Sequence, residues 1–495
     1  MVRATVTATR APIRQPALRG LAVLVVVAVA GSVWFGVSPW PPQRDDGVAI
    51  AAPGSGLLAS PNAASPTAAG SPDASPTEAL AASPTPVPTP SSRPPATPPA
   101  APIAGDALSP TSATSAIPTG PTVQIPTTGL ATSATEATRK ALTQRLGSLR
   151  ATYGMPGVSA AILFPDGTMW RATSGFADVA AKRRLTADTE FAIASISKTF
   201  LAALVLAQVE EGRLDLETSV TAYLPDLAID PLITVRQLLD HTSGLHDYFY
   251  DPDIDEALLA DRTRAWTTQD ALSYVGKSYF EPGKGWHYSN TNYVVLGLLA
   301  ESIGGAPLAE QLRTRFLVPL GLDHTHYQGV ERPLGPLARA YRFSGPGLRL
   351  RPIPLSDGST IVPFTSVVTA AGSAGSLAST ADDLVTWAKA LYGGRVLSPA
   401  LLTAMIADVS VTAPFKPSIP YGLGVQAATI DGRPSLGHSG RLLGSRTVVR
   451  WLPEQGIAIA VLTNQSRNDP NLVARALLRV LLGTPVECTG CVTAP

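Results

Sequence analysis

Apolar residues near both ends of the patterned part of the chain fall into short runs that are typical of paired strands. One pair of runs covers residues 157–164 and 168–175, and the other covers residues 447–452 and 457–463. A turn sequence containing Pro and Gly separates the two runs of each pair, and this arrangement predicts a β-hairpin in each place. The chain is therefore expected to supply strands from both of its ends to one sheet.

Helical spacing of apolar residues accounts for most of the remaining pattern. It predicts an amphipathic helix over about residues 136–153 and a closing helix over about residues 470–482, with Asp469 as its N-cap and Pro470 as its first residue. Between the hairpins, residues 214–391 alternate between helical pieces and loops rich in Pro and Gly. This order predicts an α+β fold: an antiparallel sheet built from both ends of the domain, flanking helices and a mainly helical insertion lobe.

The most apolar of the predicted helices begins beside a serine and a lysine. A short apolar run ends at Ser195, and a strongly apolar segment extends from Lys198 to a stop at Gly212. If Ser195 opens this helix, Lys198 lies one turn further on the same face, so its amine reaches the hydroxyl. The positive end of the helix disfavours a protonated amine and favours an alkoxide, which would activate the serine as a nucleophile. An N-capping serine with a solvated lysine is the alternative, and this motif alone does not decide between them.

The first 37 residues have the composition of an export signal. Residues 1–20 contain four arginines and no acid, and an apolar stretch follows over residues 21–37. The sequence Ala28-Val29-Ala30 suits cleavage by a signal peptidase, which would release the protein. The apolar stretch continues past this point and reaches the lower limit of a membrane span, so we favour an uncleaved membrane anchor over residues 1–37. Both interpretations predict an extracytoplasmic protein.

Residues 38–130 consist mainly of Ala, Pro, Ser, Thr and Gly. Such a segment buries too little apolar surface to offset its chain entropy, so it predicts a disordered stalk ahead of the folded domain. The folded domain is expected over residues 131–486, and residues 487–495 form a tail. This tail contains Cys488 and Cys491, whose position after the last helix favours a small disulfide or an inert pair over a redox site.

Charge and motif content exclude several classes of function. The formal net charge is +1 and no stripe of Lys or Arg appears in the globular part, so nucleic acid is not an expected partner. The sequence has no phosphate loop or dinucleotide fingerprint, and no cofactor is expected. His324 and His326 stand two positions apart without a paired Cys or an acidic cluster in the sequence, so no metal site is predicted there.

Two further short motifs stand downstream of Ser195. Tyr288-Ser289-Asn290 follows a loop rich in Gly and charged residues, and His438-Ser439-Gly440 comes just before the second hairpin. The patterns S-x-x-K, Y-x-N and [K/H]-x-G each occur once in the chain. Each pattern alone could arise by chance, whereas all three in this order point to one catalytic site.

The three motifs together resemble those of the serine penicillin-recognising enzymes. More narrowly, the chain resembles the branch of class C β-lactamases and secreted DD-carboxypeptidases, because Tyr288-Ser289-Asn290 replaces the Ser-Asp-Asn of class A enzymes. Residues 238–245, 371–383 and 421–424 resemble the same family, and the likeness covers about residues 135–482. The resemblance implies a β-lactamase/transpeptidase-like fold and a serine hydrolase that acts through an acyl-enzyme without metal or cofactor.

The resemblance also implies a role for residues of the first two motifs. Ser195 would be the acylated nucleophile, and Lys198 would take or shuttle its proton. Tyr288 would act with Lys198 as the base and then protonate the leaving group; which of the two is the base stays open. A phenol serves as a base near neutral pH only if cations such as Lys198 lower its pKa. Asn290 would hydrogen-bond the Lys198 amine and the substrate amide.

The third motif would bind the substrate. The backbone N–H groups of Ser195 and Arg441 would form the oxyanion hole, and Gly440 would leave room for a substrate along the strand edge. Ser439 keeps a hydroxyl for a substrate carboxylate, and Arg441 would add a charge for the same group. His438 stands where class C β-lactamases usually have Lys, so a titratable charge replaces a fixed one.

These implied roles favour D-alanyl-D-alanine-type peptides as substrates, in a DD-carboxypeptidase-like reaction. Because His438 replaces the usual lysine, we rank β-lactam hydrolysis below peptidase or esterase activity. A class C-like β-lactamase and an esterase or D-amino-acid peptidase are the alternatives. The expected partners are a small peptide, β-lactam or ester, peptidoglycan and, if the N-terminal segment is uncleaved, the membrane. A non-catalytic module that binds the cell wall is the alternative from another class. His241 is expected to shape the helical lobe and His287 the wall of the site.

Overall fold

The computed structural model describes residues 133–344, 351–407 and 419–482. The predictions of an N-terminal export segment over residues 1–37, a stalk over residues 38–130 and a tail over residues 487–495 lie outside the described residues. The residues assigned to the three motifs all lie within them.

Strands of the described residues form three sheets. The strands are β1 Gly157–Leu163, β2 Met169–Asp178, β3 Arg183–Arg184, β4 Phe191–Ala192, β5 His326–Tyr327, β6 Ala340–Ser344, β7 Arg351–Leu355, β8 Leu377–Ser379, β9 Gln426–Ile430, β10 Arg433–Leu442, β11 Ser445–Leu452 and β12 Ile457–Thr463. The largest sheet is antiparallel throughout, in the order β3-β2-β1-β12-β11-β10-β9. A second sheet has the order β4-β8-β5, and β6 pairs with β7.

Both predicted hairpins are present, and they lie side by side in the largest sheet. β1 and β2 form the first hairpin, and β11 and β12 form the second. β1 pairs with β12, from Val158 opposite Thr463 to Leu163 opposite Ala458. The first and last strands of the domain are therefore neighbours, which confirms the predicted sheet built from both ends of the domain.

Helices flank this sheet and fill the region between the hairpins. They are α1 Glu136–Thr152, α2 Ser197–Glu210, α3 Val220–Tyr223, α4 Val235–Leu239, α5 Ile254–Ala260, α6 Thr268–Leu272, α7 Asn290–Gly304, α8 Leu308–Leu312, α9 Val318–Leu320, α10 Thr365–Ala371, α11 Ala381–Tyr392, α12 Pro399–Ile406 and α13 Pro470–Leu481. α1 and α13 confirm the predicted first and last helices. Asp469 caps α13, since its carboxylate accepts a hydrogen bond from the N–H of Asn471.

The alternation of side chains along the central strands separates two apolar layers. In β1, Val158, Ala160 and Ile162 pack into one core with α1 and α13, whereas Ala161 and Leu163 pack into another with α2 and α11. Successive residues of a strand point to opposite faces, so a strand covered on both sides must be apolar at every position. This explains why β1 reads as a continuous apolar run.

Residues 214–391 form the predicted insertion lobe, in which helices predominate. Four short strands, β5 to β8, also lie in this region and were not predicted. They contain only two to five residues, which is too few for a strand periodicity to stand out in the sequence. β8 pairs with β4, the strand just before Ser195, so the lobe reaches the proposed nucleophile directly.

Among residues 133–344, 351–407 and 419–482, no single helix has the length and apolar composition needed to cross a membrane. The helical segments Asn290–Gly304 and Leu308–Leu320 meet that test only when taken together, and they are bent by 75° relative to each other.

Candidate active site

Ser195 lies in a short 3-10 turn, Ala194–Ile196, between strand β4 and helix α2. The preceding residue, Ala194, has a φ of +49°, a left-handed conformation that is uncommon for a residue with a side chain. Helix α2 begins at Ser197, two residues after Ser195, which the sequence analysis supposed to open the helix. The 3-10 turn leads directly into α2, so Ser195 and Lys198, three positions apart, still lie on one face and meet.

The largest sheet holds the segment before Ser195 through hydroxyl groups of β11. Ser445 Oγ donates to the Ala192 carbonyl at 2.8 Å, and Thr447 Oγ1 donates to the Ile193 carbonyl at 3.1 Å. A Cβ atom at Gly440 would lie 2.1 Å from the Ile193 carbonyl oxygen and 2.3 Å from Thr447 Oγ1. The sequence assigned Gly440 to clearance for a substrate, but the structure gives a different reason: only a glycine lets β10 approach this backbone.

Lys198 lies one turn after Ser195, and its amine makes three contacts. Nζ is 3.3 Å from Ser195 Oγ, 2.8 Å from Asn290 Oδ1 and 2.8 Å from the Ala374 carbonyl oxygen. The side chain is 0% exposed, so the alternative of a solvated lysine does not apply. Burial lowers the pKa of Lys198 to about 7, although the charge of Asp247 opposes this shift. A neutral amine is therefore accessible near neutral pH.

Asn290 connects the lysine to a buried carboxylate that the sequence did not single out. Its Nδ2 donates to Asp247 Oδ2 at 2.8 Å, while its Oδ1 accepts from Lys198. Asp247 is 0% exposed, and its other oxygen accepts from the N–H of Phe249 at 3.1 Å. Burial raises the pKa of Asp247 to about 6, while these hydrogen bonds and the charge of Lys198 lower it.

Tyr288 covers another side of the lysine. Its ring centroid lies 4.9 Å from Lys198 Nζ. Burial raises the pKa of Tyr288 well above 10, and hydrogen bonding with Ser195 opposes this shift only in part. The phenol therefore stays protonated near neutral pH. The sequence-based condition for a phenolate base, a pKa lowered by neighbouring cations, is not met, and Lys198 is left as the better base.

His241 supports the second motif from behind. This buried residue has a φ of +66°, and its Nδ1 accepts hydrogen bonds from the N–H of Ser289 at 3.2 Å and from Asn292 Nδ2 at 3.3 Å. Its ring centroid lies 4.3 Å from that of Tyr288. Burial lowers the pKa of His241 well below 6.5, so the ring is neutral. The sequence assigned His241 to the lobe in general, whereas the structure shows it fixing the position of Tyr288.

His438 is buried and uses both ring nitrogens within the protein. Nδ1 lies 2.7 Å from the Ser439 carbonyl oxygen, which can only accept, so Nδ1 carries the hydrogen. Nε2 then accepts from the Tyr421 hydroxyl at 2.9 Å. Burial lowers the pKa of His438 to about 3, and the charge of Lys198 adds to this shift. The titratable charge that the sequence suggested at position 438 is therefore not offered to a substrate near neutral pH.

A buried arginine supports Ser439. Arg450 Nη2 donates to Ser439 Oγ at 3.0 Å and to Gln426 Oε1 at 2.9 Å, and Gln426 Oε1 also accepts from the N–H of Ser439. Because a guanidinium can only donate, Ser439 accepts from it and keeps its own hydroxyl hydrogen for another acceptor. The cation that contacts the third motif is thus Arg450 of β11, and the sequence did not indicate it.

The stretch of β10 that carries the third motif has one open edge. β9 pairs with β10 only over Arg433–Gly437, and among the described residues no strand continues that pairing along residues 438–442. A free strand edge presents backbone N–H and C=O groups with which an extended substrate can pair. Arg441 lies on this edge, and its charge lowers the pKa of Tyr250, which burial raises to about 12.

Of the other histidines of the sequence analysis, His287 borders the site, since its Nδ1 lies 2.8 Å from the Tyr288 carbonyl oxygen. His287 stacks on Tyr279 with ring centroids 3.8 Å apart. His326 and His324 both contact the buried Glu190, with Nδ1 to carboxylate distances of 2.8 and 3.3 Å. The sequence had shown no acidic cluster beside these two histidines, and Glu190 comes from a distant segment. Within the part of the chain that the structure describes, no group of three or more His, Cys, Asp or Glu residues could hold a metal ion.

Three groups of this site escaped the sequence analysis. Asp247 is the one acid in an aromatic run, residues 246–250, and that isolation is a signal which could have been used. Arg450 is likewise the one charge in a strand that otherwise reads as apolar from residues 447 to 452, except for a threonine. The Ala374 carbonyl has no signal in the sequence, because any residue type supplies a backbone oxygen.

The site brings together a hydroxyl, an amine that can lose its proton and a phenol that keeps its own. It holds them in a buried place beside the open edge of β10. These are the groups that acyl transfer needs: a nucleophile, a base, an acid and backbone donors for an oxyanion.

Comparison with known proteins gives matches over the same part of the chain. The family model described as Beta-lactamase matches residues 138–484. Penicillin-binding protein 4 of Amycolatopsis lactamdurans is 30% identical over 337 residues, which cover 65% of this chain and 84% of the relative. The structure of a D-stereospecific amidohydrolase from Streptomyces sp. superposes with a TM-score of 0.59 at 30% identity, covering 68% of this chain and 97% of the other. The structure of D-amino acid amidase from Ochrobactrum anthropi SV3, complexed with D-phenylalanine, superposes with a TM-score of 0.60 at 26% identity, covering 70% of this chain and 99% of the other.

Proposed function

The chain belongs to the beta-lactamase family and is a serine hydrolase of the beta-lactamase and penicillin-binding protein group, and we propose that it cleaves D-alanyl-D-alanine-type peptides through an acyl-enzyme on Ser195. The contact of Lys198 Nζ with Ser195 Oγ, made by a buried amine, carries this proposal. A neutral amine at that distance can take the serine proton, whereas Tyr288, which also hydrogen-bonds with Ser195, stays protonated near neutral pH.

The reaction proceeds in two halves. As Ser195 Oγ bonds to the substrate carbonyl carbon, its proton passes to Lys198, and the carbonyl oxygen accepts hydrogen bonds from the N–H groups of Ser195 and Arg441. The carbon–nitrogen bond then breaks, Tyr288 gives its proton to the leaving nitrogen, and Lys198 returns a proton to the phenol. In the second half a water gives its proton to Lys198 while its oxygen attacks the ester carbonyl, and Ser195 leaves as a hydroxyl by taking that proton back.

The surroundings of the third motif support a peptide over a β-lactam. His438 is neutral, so it cannot replace the fixed lysine charge at this place in class C β-lactamases. Ser439, backed by Arg450, still offers a hydroxyl to the terminal carboxylate of a peptide. A class C-like β-lactamase and an esterase are therefore ranked below the peptidase.

Release of an N-terminal D-amino acid, or cleavage of a D-amino acid amide, is the second candidate. Two of the solved structures that resemble this chain, over 68% and 70% of its length, are a D-stereospecific amidohydrolase and a D-amino acid amidase. The first half-reaction is the same for both substrates, so the Ser195 and Lys198 assignments do not depend on which one is cleaved.

Side-by-side turnover tests the proposal. A D-alanyl-D-alanine peptide, a D-phenylalanine amide, a cephalosporin and a short-chain ester are offered to the wild type and to Ser195→Ala. We expect the peptide to give the highest kcat/KM, and we expect the variant to lose at least about 10³-fold because its nucleophile is gone. Turnover of the amide alone would replace the first candidate by the second. No turnover of any substrate would favour a non-catalytic module that binds the cell wall.

The same proposal locates the activity outside the cytoplasm, on the cell-wall side of the membrane. It rests on the sequence of residues 1–37, with their arginines and apolar stretch. Cell fractionation with an antibody against residues 133–482 checks it, and recovery of the chain in the cytoplasmic fraction alone would contradict it.

A further inference from the structure

Asp247 is a buried carboxylate that the reaction above does not use. It lies at the start of the 3-10 turn Tyr248–Tyr250, and its side chain is 0% exposed. One of its oxygens accepts from the N–H of Phe249, and the other accepts from Asn290 Nδ2. A buried charge in such a place is costly, so it calls for an explanation beyond packing.

The contact with Asp247 fixes which way the amide of Asn290 points. A carboxylate only accepts, so the Asn290 NH2 group must face Asp247 and the amide oxygen must face Lys198. The reverse orientation would set the amide oxygen against the carboxylate and the NH2 group against the amine. The orientation of Asn290 therefore follows from Asp247 and not from Asn290 itself.

The fixed amide in turn decides the direction of the lysine lone pair. Of the three groups around Lys198 Nζ, the Asn290 oxygen and the Ala374 carbonyl can only accept. A neutral amine has two hydrogens and one lone pair, so both hydrogens go to these two oxygens. The lone pair is left for the third neighbour, Ser195 Oγ at 3.3 Å, which then donates its hydrogen to the amine.

We propose that Asp247 is a positioning residue, which holds the Asn290 amide so that neutral Lys198 presents its lone pair to Ser195. This inference rests on the proposed function, because it needs Lys198 to be the base for Ser195. It adds a residue that touches neither the substrate nor the serine.

Few of the groups around this pair can change charge near neutral pH. Within residues 133–344, 351–407 and 419–482, the charged or titratable groups that face Lys198 or Asp247 are His241, Tyr248, Tyr250, Tyr279, Tyr288, Tyr293 and His438. Burial lowers the pKa of both histidines and raises that of the five tyrosines, so all of them stay neutral. Arg441 and Arg450 act on Tyr250 and His438 as fixed charges. We call a range of pH over which the labelling rate of Ser195 rises or falls a limb. A limb between about pH 5 and 9 therefore reports the titration of Lys198 and Asp247.

Asp247→Asn tests the proposal, with the rate of Ser195 labelling by a fluorophosphonate measured against pH. The NH2 group of the new asparagine must face either the Phe249 N–H or the Asn290 NH2, and both are donors. If it faces Asn290, the Asn290 amide relieves the clash by rotating, and its NH2 group then points toward the lone pair of Lys198. We expect labelling to slow by about 10²-fold, the usual scale of a lost base. We also expect the acid limb to move to lower pH, because the carboxylate that raises the pKa of Lys198 is gone.

The double variant Asp247→Asn with Asn290→Asp exchanges the two groups and should restore the geometry. The asparagine at 247 can then accept from Phe249 and donate to the carboxylate at 290, whose other oxygen accepts from Lys198. We expect labelling above the limb to return to within about tenfold of the wild type. The limb should move to higher pH than in the wild type, since the carboxylate now touches the amine and raises its pKa.

Asp240→Asn is the matched control. Asp240 is a buried carboxylate in the same segment, 3% exposed, and its Oδ1 accepts from the N–H and Oγ1 of Thr242. This variant should leave the position of the limb unchanged, whatever it does to the temperature of unfolding.

The outcomes separate the two proposals. A wild type whose Ser195 is not labelled contradicts the proposed function itself. A labelled wild type contradicts the role of Asp247 alone if Asp247→Asn is within about threefold of it, if that variant slows without a shift of the limb, or if the double variant stays as slow as the single one. If Asp247→Asn does not fold, the double variant decides by its labelling rate at high pH: a rate within about tenfold of the wild type supports the role of Asp247, and a rate about 10²-fold lower contradicts it.

Discussion

The state of one amine decides when Ser195 can react, because only a neutral Lys198 has a lone pair for the serine proton. An exposed lysine is almost entirely protonated near neutral pH. Lys198 is fully buried, and burial lowers its pKa to about 7. The nearby charge of Asp247 keeps the pKa from falling further, so the amine titrates in a useful range.

The main pH dependence of acylation follows from this amine, and Asp247, whose pKa burial raises to about 6, titrates in the same range. Because the base is active when deprotonated, labelling of Ser195 should rise about tenfold for each pH unit below about pH 7 and level off above it. His438 and Tyr288 should add no further limb up to about pH 9, since burial keeps the first neutral and the second protonated. The labelling rate measured over this range checks the prediction, and a limb near pH 10, as for an exposed lysine, would contradict it.

At the scale of residues, the sequence identified the groups whose chemistry shows in their type and spacing. Ser195 and Lys198 stand three positions apart, so a helical turn alone brings them together. The sequence could not show that Asp247 orients Asn290, since the two are 43 positions apart and meet only through tertiary packing. It also could not show that His438 is buried and neutral, since burial is a property of its neighbours.

At the scale of elements, the nucleophile depends on how closely β10 passes the backbone before it. Gly440→Ala would set a Cβ 2.1 Å from the Ile193 carbonyl oxygen, so the strand or the Ser195 turn must move. We expect a loss of about 1–3 kcal/mol in the free energy of unfolding, together with slower labelling of Ser195. Urea unfolding and the labelling rate measure the two effects.

Gly147→Ala is the control for this substitution. Gly147 lies within α1, and an added Cβ meets no atom within 4 Å. Alanine there should raise the free energy of unfolding by up to about 1 kcal/mol and leave labelling unchanged. Equal effects of the two variants would mean that the close approach of β10 does not matter.

Element prediction succeeded where the periodic patterns were long. β1, β2, β11 and β12 have at least seven residues each, and α1 and α13 have three turns or more, so their boundaries agree closely with the predictions. Of the short strands that were missed, β5 and β8 pair with partners far along the chain. β6 and β7 are neighbours in the chain, but five residues each are too few for a strand periodicity to stand out.

At the scale of the whole molecule, the pairing of β1 with β12 assembles the site. It brings the third motif, on β10, to the same sheet as the first hairpin, and the lobe then delivers Tyr288 and Asn290 from one side. The order of hairpins and helices was enough to predict this α+β architecture. It was not enough to predict the open edge of β10 along residues 438–442, which depends on where β9 stops pairing.

Locating the adduct on the protein tests the central claim most directly. Wild type, Ser195→Ala and Lys198→Ala are treated with penicillin or a fluorophosphonate at about pH 8, digested and mapped by mass spectrometry. The account predicts one adduct, on the peptide that contains Ser195, absent from Ser195→Ala and formed at least about 10²-fold more slowly in Lys198→Ala. No adduct on the wild type, or an adduct that survives Ser195→Ala, would contradict it.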